Sequence, residues 1–212
     1  MTLTIYFLRH GETEISQAGA YSGILDVELT PAGREMAEDF AAAYKSMPWA
    51  AVFCSPLRRS IDTARPLCEA AGITMQVLEE LTEIHYGEWE GKTPEEVTRL
   101  FHDEYVSWLA DAGWNRPTGG ERGVDVARRV SAAIQAIERS CPSGDVLVVS
   151  HKATIRIALC SLLGIDVGRY RDRLSVPVAS ISVVEMTGRG PLLQSLGDRS
   201  FLRESLRLRP GT

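Results

Sequence analysis

Two side chains able to handle a phosphoryl group stand next to each other near the start of the chain, in Leu8-Arg9-His10-Gly11. An imidazole nitrogen can attack phosphorus, and a fixed guanidinium can hold the oxygens while charge redistributes over them. Three further stretches carry compatible groups. Arg58-Arg59 follows Ser55-Pro56-Leu57, Glu83 precedes an aromatic, glycine-bearing segment Ile84 to Gly91, and His151 follows Val149-Ser150. A pair of arginines at the start of a helix is locally unfavourable, because the helix dipole prefers negative charge there, and an anion seated between them removes the conflict.

These residues need elements that bring them together. Leu3 to Leu8 is β-branched and aromatic and reads as a buried strand, and Gly11 lets the chain turn beyond it. Ala50 to Cys54, Ile73 to Leu78 and Asp145 to Ser150 read as three more strands. Helices alternate with them. Thr30-Pro31 caps one that carries Met36, Phe40, Tyr44 and Met47 on one face; Ser55-Pro56 leads into a second that ends near Gly72. Thr93 with Glu96 forms a capping box for a third. Val126, Val130, Ala133, Ile134 and Ile137 mark a long fourth, and a fifth runs from about Ala153 to Leu163 and ends at Gly164. Strand-helix alternation implies an α/β three-layer sandwich with a largely parallel sheet and helices on both faces. Parallel strands present their carboxyl ends on one side, where open α/β sheets bind ligands. Arg9-His10, Arg59, Glu83 and His151 each follow one of the four strands, so the pattern predicts a single pocket.

Together these motifs resemble those of the histidine phosphatase superfamily, branch 1, the phosphoglycerate mutase-like fold. Leu8-Arg9-His10-Gly11-Glu12-Thr13 is similar to the family's nucleophile signature, and Gly23-Ile24-Leu25-Asp26 with Leu29-Thr30 and Gly33 to the loop and helix start after it. Ser55-Pro56-Leu57-x-Arg59 with Thr63-Ala64 resembles the second arginine motif, Glu83 with Gly87-x-Trp89-Glu90-Gly91 the proton-donor motif, and Val149-Ser150-His151 the second-histidine motif. The resemblance implies one domain over 1–212, a phosphohistidine formed on His10, phosphate oxygens held by Arg9, Arg59 and His151, and Glu83 as proton donor and then base. On this scheme the closed pocket and the bound anion favour a protonated Glu83 at the first step. It implies no metal and no cofactor. Candidate substrate-binding residues are Thr13, Ser16, Ser22 and Gly23 on the first loop, Tyr86 after the proton donor, and Arg122 and Lys152.

Lys152 stands where many relatives have glycine, and Arg122 where a small residue is usual; Ser16 and Ser22 replace a common asparagine and glutamine. The two cations point to an acidic substrate, a small phosphorylated metabolite. An excursion over about 92–122, with Trp108 and Trp114, reads as a lid or specificity insert. A phosphoglycerate mutase would use the same five catalytic residues. The roughly thirty residues between Gly91 and Glu121 favour a phosphatase, and a non-catalytic phosphate-binding regulator is disfavoured by the retention of His10 and Glu83. A cysteine phosphatase fits less well, since Cys54 to Arg59 is one residue short of a Cys-x5-Arg loop and Pro56 lacks an amide such a loop requires.

Over 212 residues, a formal charge of −5 argues against a nucleic-acid or anionic-membrane partner. There is no apolar run of the roughly 18 residues needed for a membrane span, and no signal-peptide pattern at the amino terminus. A cytoplasmic location is expected, and a homodimer is compatible with these features. Cys54, Cys68, Cys141 and Cys160 are scattered, with no metal-ligand spacing to any histidine, and read as reduced thiols. The last expectations concern the end of the chain. Val178 to Met186 alternates as a half-exposed strand near a sheet edge, Pro191 to Leu196 could add another, and the arginine-rich tail from Asp198 reads as mobile.

Overall fold

The computed structural model describes residues 2–209. Six strands form one mixed sheet in the order β3-β2-β4-β1-β5-β6: β1 (Leu3–Arg9), β2 (Trp49–Cys54), β3 (Met75–Val77), β4 (Gly144–Ser150), β5 (Ile181–Thr187) and β6 (Gly190–Asp198). The four strands β3, β2, β4 and β1 are parallel, and β5 pairs antiparallel with both β1 and β6. The strand expected over Val178 to Met186 near a sheet edge forms as β5, beginning at Ile181, and lies next to the edge; the further strand expected over Pro191 to Leu196 forms as β6, the edge strand beside it.

Period-2 alternation sends successive side chains of β1 to opposite faces, and both faces are covered. On one side Ile5 and Phe7 pack with Val126, Val130, Ile134 and Ile137 of α6 (Gly123–Ser140) and Ile155 and Leu159 of α7 (Lys152–Leu163). On the other, Leu8, Val52, Leu147 and Val149 meet Phe40 of α2 (Pro31–Tyr44) and Ala64 and Leu67 of α3 (Arg58–Ala71). Each such Val, Leu, Ile or Phe side chain, fully buried, contributes roughly 1.5–3 kcal/mol. Helix starts follow local chemistry. Thr30 accepts from the Gly33 amide ahead of Pro31, and Thr93 and Glu96 form a reciprocal capping box on α4 (Pro94–Leu100).

Strand register aligns the site. Arg9 pairs with Ser150 across β1 and β4, so His10 and His151, each one residue further on, leave the sheet side by side. Cys54 pairs with Val149, which puts Ser55 level with Ser150. The segment after Gly91 carries α4 and α5 (His102–Ala110) and lies against the carboxyl end of the sheet through Trp108, which packs on Trp89 at 5.2 Å and Tyr21 at 5.9 Å between ring centroids.

The end of the chain is ordered as far as it is described, contrary to expectation. Leu202 and Leu206 are buried beside Met36, Arg203 pairs with Asp39, and Arg209 pairs with Glu12. Two of the arginines expected in a mobile tail, Arg203 and Arg209, meet carboxylates from residues far away in the chain. Its last three residues lie outside the described residues.

Candidate active site

A cavity of about 220 Å³ opens at the carboxyl ends of the parallel strands, and Arg9, His10, Glu83 and Lys152 all line it. His10 is held from both sides of its strand: its amide donates to the Ser150 carbonyl at 3.0 Å, and its carbonyl accepts from the Ala179 amide at 3.1 Å. Ala179 has a φ of 50°, a left-handed conformation rare for a residue with a side chain, at the point where it grips the nucleophile loop. Beneath the loop, Gly11 and Gly33 meet backbone to backbone. A Cβ on Gly33 would overlap the Glu12 carbonyl, and one on Gly11 would overlap the Gly33 carbonyl, so the start of α2 can approach only because both lack one.

The His10 ring is buried, and its Nδ1 lies 2.7 Å from the Gly11 carbonyl oxygen. Only a protonated Nδ1 can make that bond, which leaves the lone pair on Nε2. Burial, followed by the charges of Arg59 and Arg9, pushes the imidazole pKa well below its ordinary value. His10 is therefore neutral, the form that can act as a nucleophile. Arg9 donates to the Val176 carbonyl at 2.9 Å. Burial lowers its pKa to about 9, which keeps it cationic at neutral pH.

Arg59 and His151 do not line the cavity; they lie fully buried behind His10, whose ring is 5.2 Å from that of His151. Arg59 donates through Nη1 to the Leu25 carbonyl at 2.6 Å, through Nη2 to the Gly23 carbonyl at 2.7 Å, and through Nε to His151 Nδ1 at 3.2 Å. Since Nδ1 accepts, the proton of neutral His151 is on Nε2, which donates to Ser55 Oγ at 2.7 Å. Arg58, one position earlier, is exposed and pairs with Glu28. Helical geometry turns one arginine inward and its neighbour out.

Glu83 sits at the start of α7. One carboxylate oxygen accepts from the Ile84 and Thr154 amides and the Thr154 hydroxyl at 2.9–3.0 Å, and the other accepts from the Ala153 amide at 3.1 Å. Its backbone is fixed separately by Arg129 of α6, a residue with no legible role in the sequence. Arg129 donates to the carbonyls of Glu80, Thr82 and Glu83 and pairs with Glu121. Glu90 ties the proton-donor motif to the first loop, accepting from the amides of Ile24, Leu25 and Tyr86.

Of the residues expected to bind substrate, Ser16, Ser22, Gly23, Tyr86 and Lys152 line the cavity. Thr13 and Arg122 do not. Thr13 is wholly buried as the cap of α1 (Glu14–Gln17), where it bonds Ser16. Arg122 precedes α6 and pairs with Asp125, the carboxylate three residues on, at 2.9 Å. The sequence reading missed Tyr21, Arg156, Tyr170 and Arg171, which also line it. Arg156 was legible in principle, four residues after Lys152 and thus on the same helical face.

A neutral imidazole between buried arginines, with a carboxylate across a polar cavity at the strand ends, defines a phosphoryl-transfer site. The chain belongs to the histidine phosphatase superfamily, branch 1, whose model matches residues 5–199. It is a phosphatase of that superfamily. It is 28% identical over 200 residues to phosphoserine phosphatase 1 of Hydrogenobacter thermophilus, covering 94% of each chain. It is 31% identical over 161 residues to adenosylcobalamin/alpha-ribazole phosphatase of Salmonella typhimurium, covering 76% of this chain and 80% of that one. Among solved structures, YhfR of Bacillus stearothermophilus superposes with a TM-score of 0.88 at 26% identity, over 95% of this chain and all of that one.

Proposed function

We propose that the protein is a metal-independent phosphomonoesterase acting on a small acidic phosphorylated metabolite through a phosphohistidine at His10. The observation that carries this reading is the His10 ring, neutral and with Nδ1 committed to the Gly11 carbonyl, so that Nε2 is the free nucleophilic atom beside Arg9. In the first step Nε2 attacks phosphorus, the P–O bond to the leaving alcohol breaks, and Glu83 gives that oxygen a proton. In the second, Glu83 takes a proton from water, the oxygen bonds to phosphorus, and the N–P bond breaks to release inorganic phosphate and restore His10. Arg9 stabilises the equatorial oxygens from the cavity. Arg59 and His151 do so from behind once the phosphate displaces the loop carbonyls that Arg59 now holds.

The cavity volume is that of about seven waters at roughly 30 Å³ each. It suits a small metabolite better than drug-sized ligands, whose pockets run to about 300 Å³ and more. Residues 92–122 act as its cover, contributing Pro94 and Trp108 to the wall. No helix among the described residues is long and apolar enough to cross a membrane. The four thiols are free, in keeping with a reducing, cytoplasmic setting.

The test is acid-labile labelling of the protein by a phosphorylated substrate, measured in the wild type and in His10→Ala. Label on the wild type alone supports the mechanism. Label or full activity in His10→Ala removes His10 from its role. Isomerisation of 3-phosphoglycerate faster than its hydrolysis would make the protein a mutase.

A further inference from the structure

The cavity lining carries three cations beyond the catalytic set: Lys152 and Arg156 from α7, and Arg171 from α8 (Tyr170–Arg173). With Arg9 they place four cations on the cavity against a single carboxylate, Glu83. All three are half-buried, and among the described residues none is in an ion pair. The Arg156 Nε is enclosed without a hydrogen-bond partner.

Local physics disfavours this arrangement. Lys152 is the first residue of α7, where the dipole repels a cation, and Arg156 lies one turn on, a like-charge i, i+4 pair. Partly desolvated cations usually find a carboxylate, and the chain has an excess of them, 28 Asp and Glu against 23 Lys and Arg. Here the nearest carboxylate, Glu83, is already taken by the amides at the helix start and by Thr154. Burial and the neighbouring Arg9 and Arg156 bring the Lys152 pKa down to about 7. Arg171 is aimed by stacking its guanidinium 3.9 Å over the Trp108 ring, which ties it to the insert. The cluster is thus built from two separate helices, α7 and α8, and lines one cavity.

We propose that Lys152, Arg156 and Arg171 form a second anion subsite, so that the substrate is a phosphomonoester carrying a further carboxylate or phosphate on its leaving group. This deepens the proposed function and rests on it for the position of the scissile phosphate. Occupation of the subsite pairs the cations that the apoprotein leaves unpaired. It also selects among esters the phosphate pocket alone cannot tell apart.

Three-carbon esters differing only in the second group provide the test: glycerol 3-phosphate with a hydroxyl, 3-phosphoglycerate with a carboxylate, and glycerol 1,3-bisphosphate with a second phosphate. Affinities are measured by calorimetry on His10→Ala, which does not consume the ligand, and again on His10→Ala carrying Arg156→Met or Arg171→Met. Charge-assisted hydrogen bonds predict that one or both two-anion ligands bind about 10- to 100-fold more tightly than glycerol 3-phosphate. Which of them gains identifies the second group. That ratio should fall at least about 10-fold in each arginine variant. Equal affinity for all three ligands, or a ratio that the variants leave unchanged, overturns the subsite. Turnover of p-nitrophenyl phosphate by the wild type, run alongside, reports on the phosphatase reading separately. Its absence would defeat that reading whatever the affinities show.

Discussion

Arg129 lies outside the cavity, yet its guanidinium closes the strand-end segment that carries Glu83, and Arg129→Met tests that connection. The substitution keeps the apolar stem and removes five contacts: Nη1 to the Glu80 and Thr82 carbonyls at 2.6 and 2.7 Å, Nη2 to the Glu83 carbonyl at 3.3 Å and Glu121 at 3.1 Å, and Nε to Glu121 at 3.1 Å. Hydrogen bonds to a charged group are worth about 1.5–3 kcal/mol when buried. The side chains of Arg129 and Glu121 are 21% and 31% exposed, so water recovers part of the loss. A destabilisation of about 3 kcal/mol follows, which lowers Tm by about 6–12 °C in a chain of this length. The Glu83 carboxylate keeps its bonds to α7, so it is displaced and not lost. The kcat for an alkyl phosphate, whose leaving oxygen needs the proton, should then fall about 10-fold, and that for p-nitrophenyl phosphate much less. Arg129→Lys, with one compact ammonium in place of the fork, should fall between. A Tm within 2 °C of the wild type, or equal slowing of both substrates, would refute this account of Arg129.

Glu83→Gln should cut kcat for alkyl phosphates by about 10²- to 10⁴-fold while slowing p-nitrophenyl phosphate by less; equal slowing would exclude Glu83 as the proton donor. Arg209→Ala should destabilise the fold in a pH-dependent way. Burial works to raise the Glu12 pKa, but the Arg209 and Thr30 hydrogen bonds outweigh it and the pKa is lowered. The stability from this pair is present above the ordinary carboxylate pKa of about 4.3 and is lost as pH falls through the depressed value. The Tm gap between Arg209→Ala and the wild type should therefore be open at pH 7 and narrow toward pH 3. A gap independent of pH would dissociate Glu12 from the effect. Lys152→Met should show the opposite trend. The folded lysine titrates at about 7 against about 10.4 when unfolded, so its charging penalty is full below pH 7 and fades toward pH 10. The variant should be the more stable protein at pH 6 by thermal unfolding, with the difference closing as pH rises. A less stable variant at pH 6 would show that Lys152 is paired in the free protein.

The parts of this protein that the amino-acid sequence determines by itself are those written in local periodicity and capping. The parallel strands, the helices between them and the placement of Arg9, His10, Arg59, Glu83 and His151 at or beyond strand ends all follow from residues within a few positions of one another. A buried strand of Leu3, Ile5, Phe7 and Leu8 can end in few other ways. What only the tertiary structure decided concerns partners distant in the chain. Arg122 and Lys152 looked equivalent as extra cations, but Arg122 has Asp125 within reach and Lys152 has none, so one is paired outside the cavity and the other lines it. Arg209 could not be told from a solvated arginine until Glu12, almost two hundred residues earlier, was placed beside it. The same holds for Arg129, whose carbonyl partners come from the short connection after β3, far from it in the chain. Charged side chains are long and nearly indifferent to local secondary structure, so their roles are set by whichever opposite charge or carbonyl the fold brings near. Apolar positions are set by the face they must bury, which is why the sheet was legible and the electrostatic wall of the cavity was not.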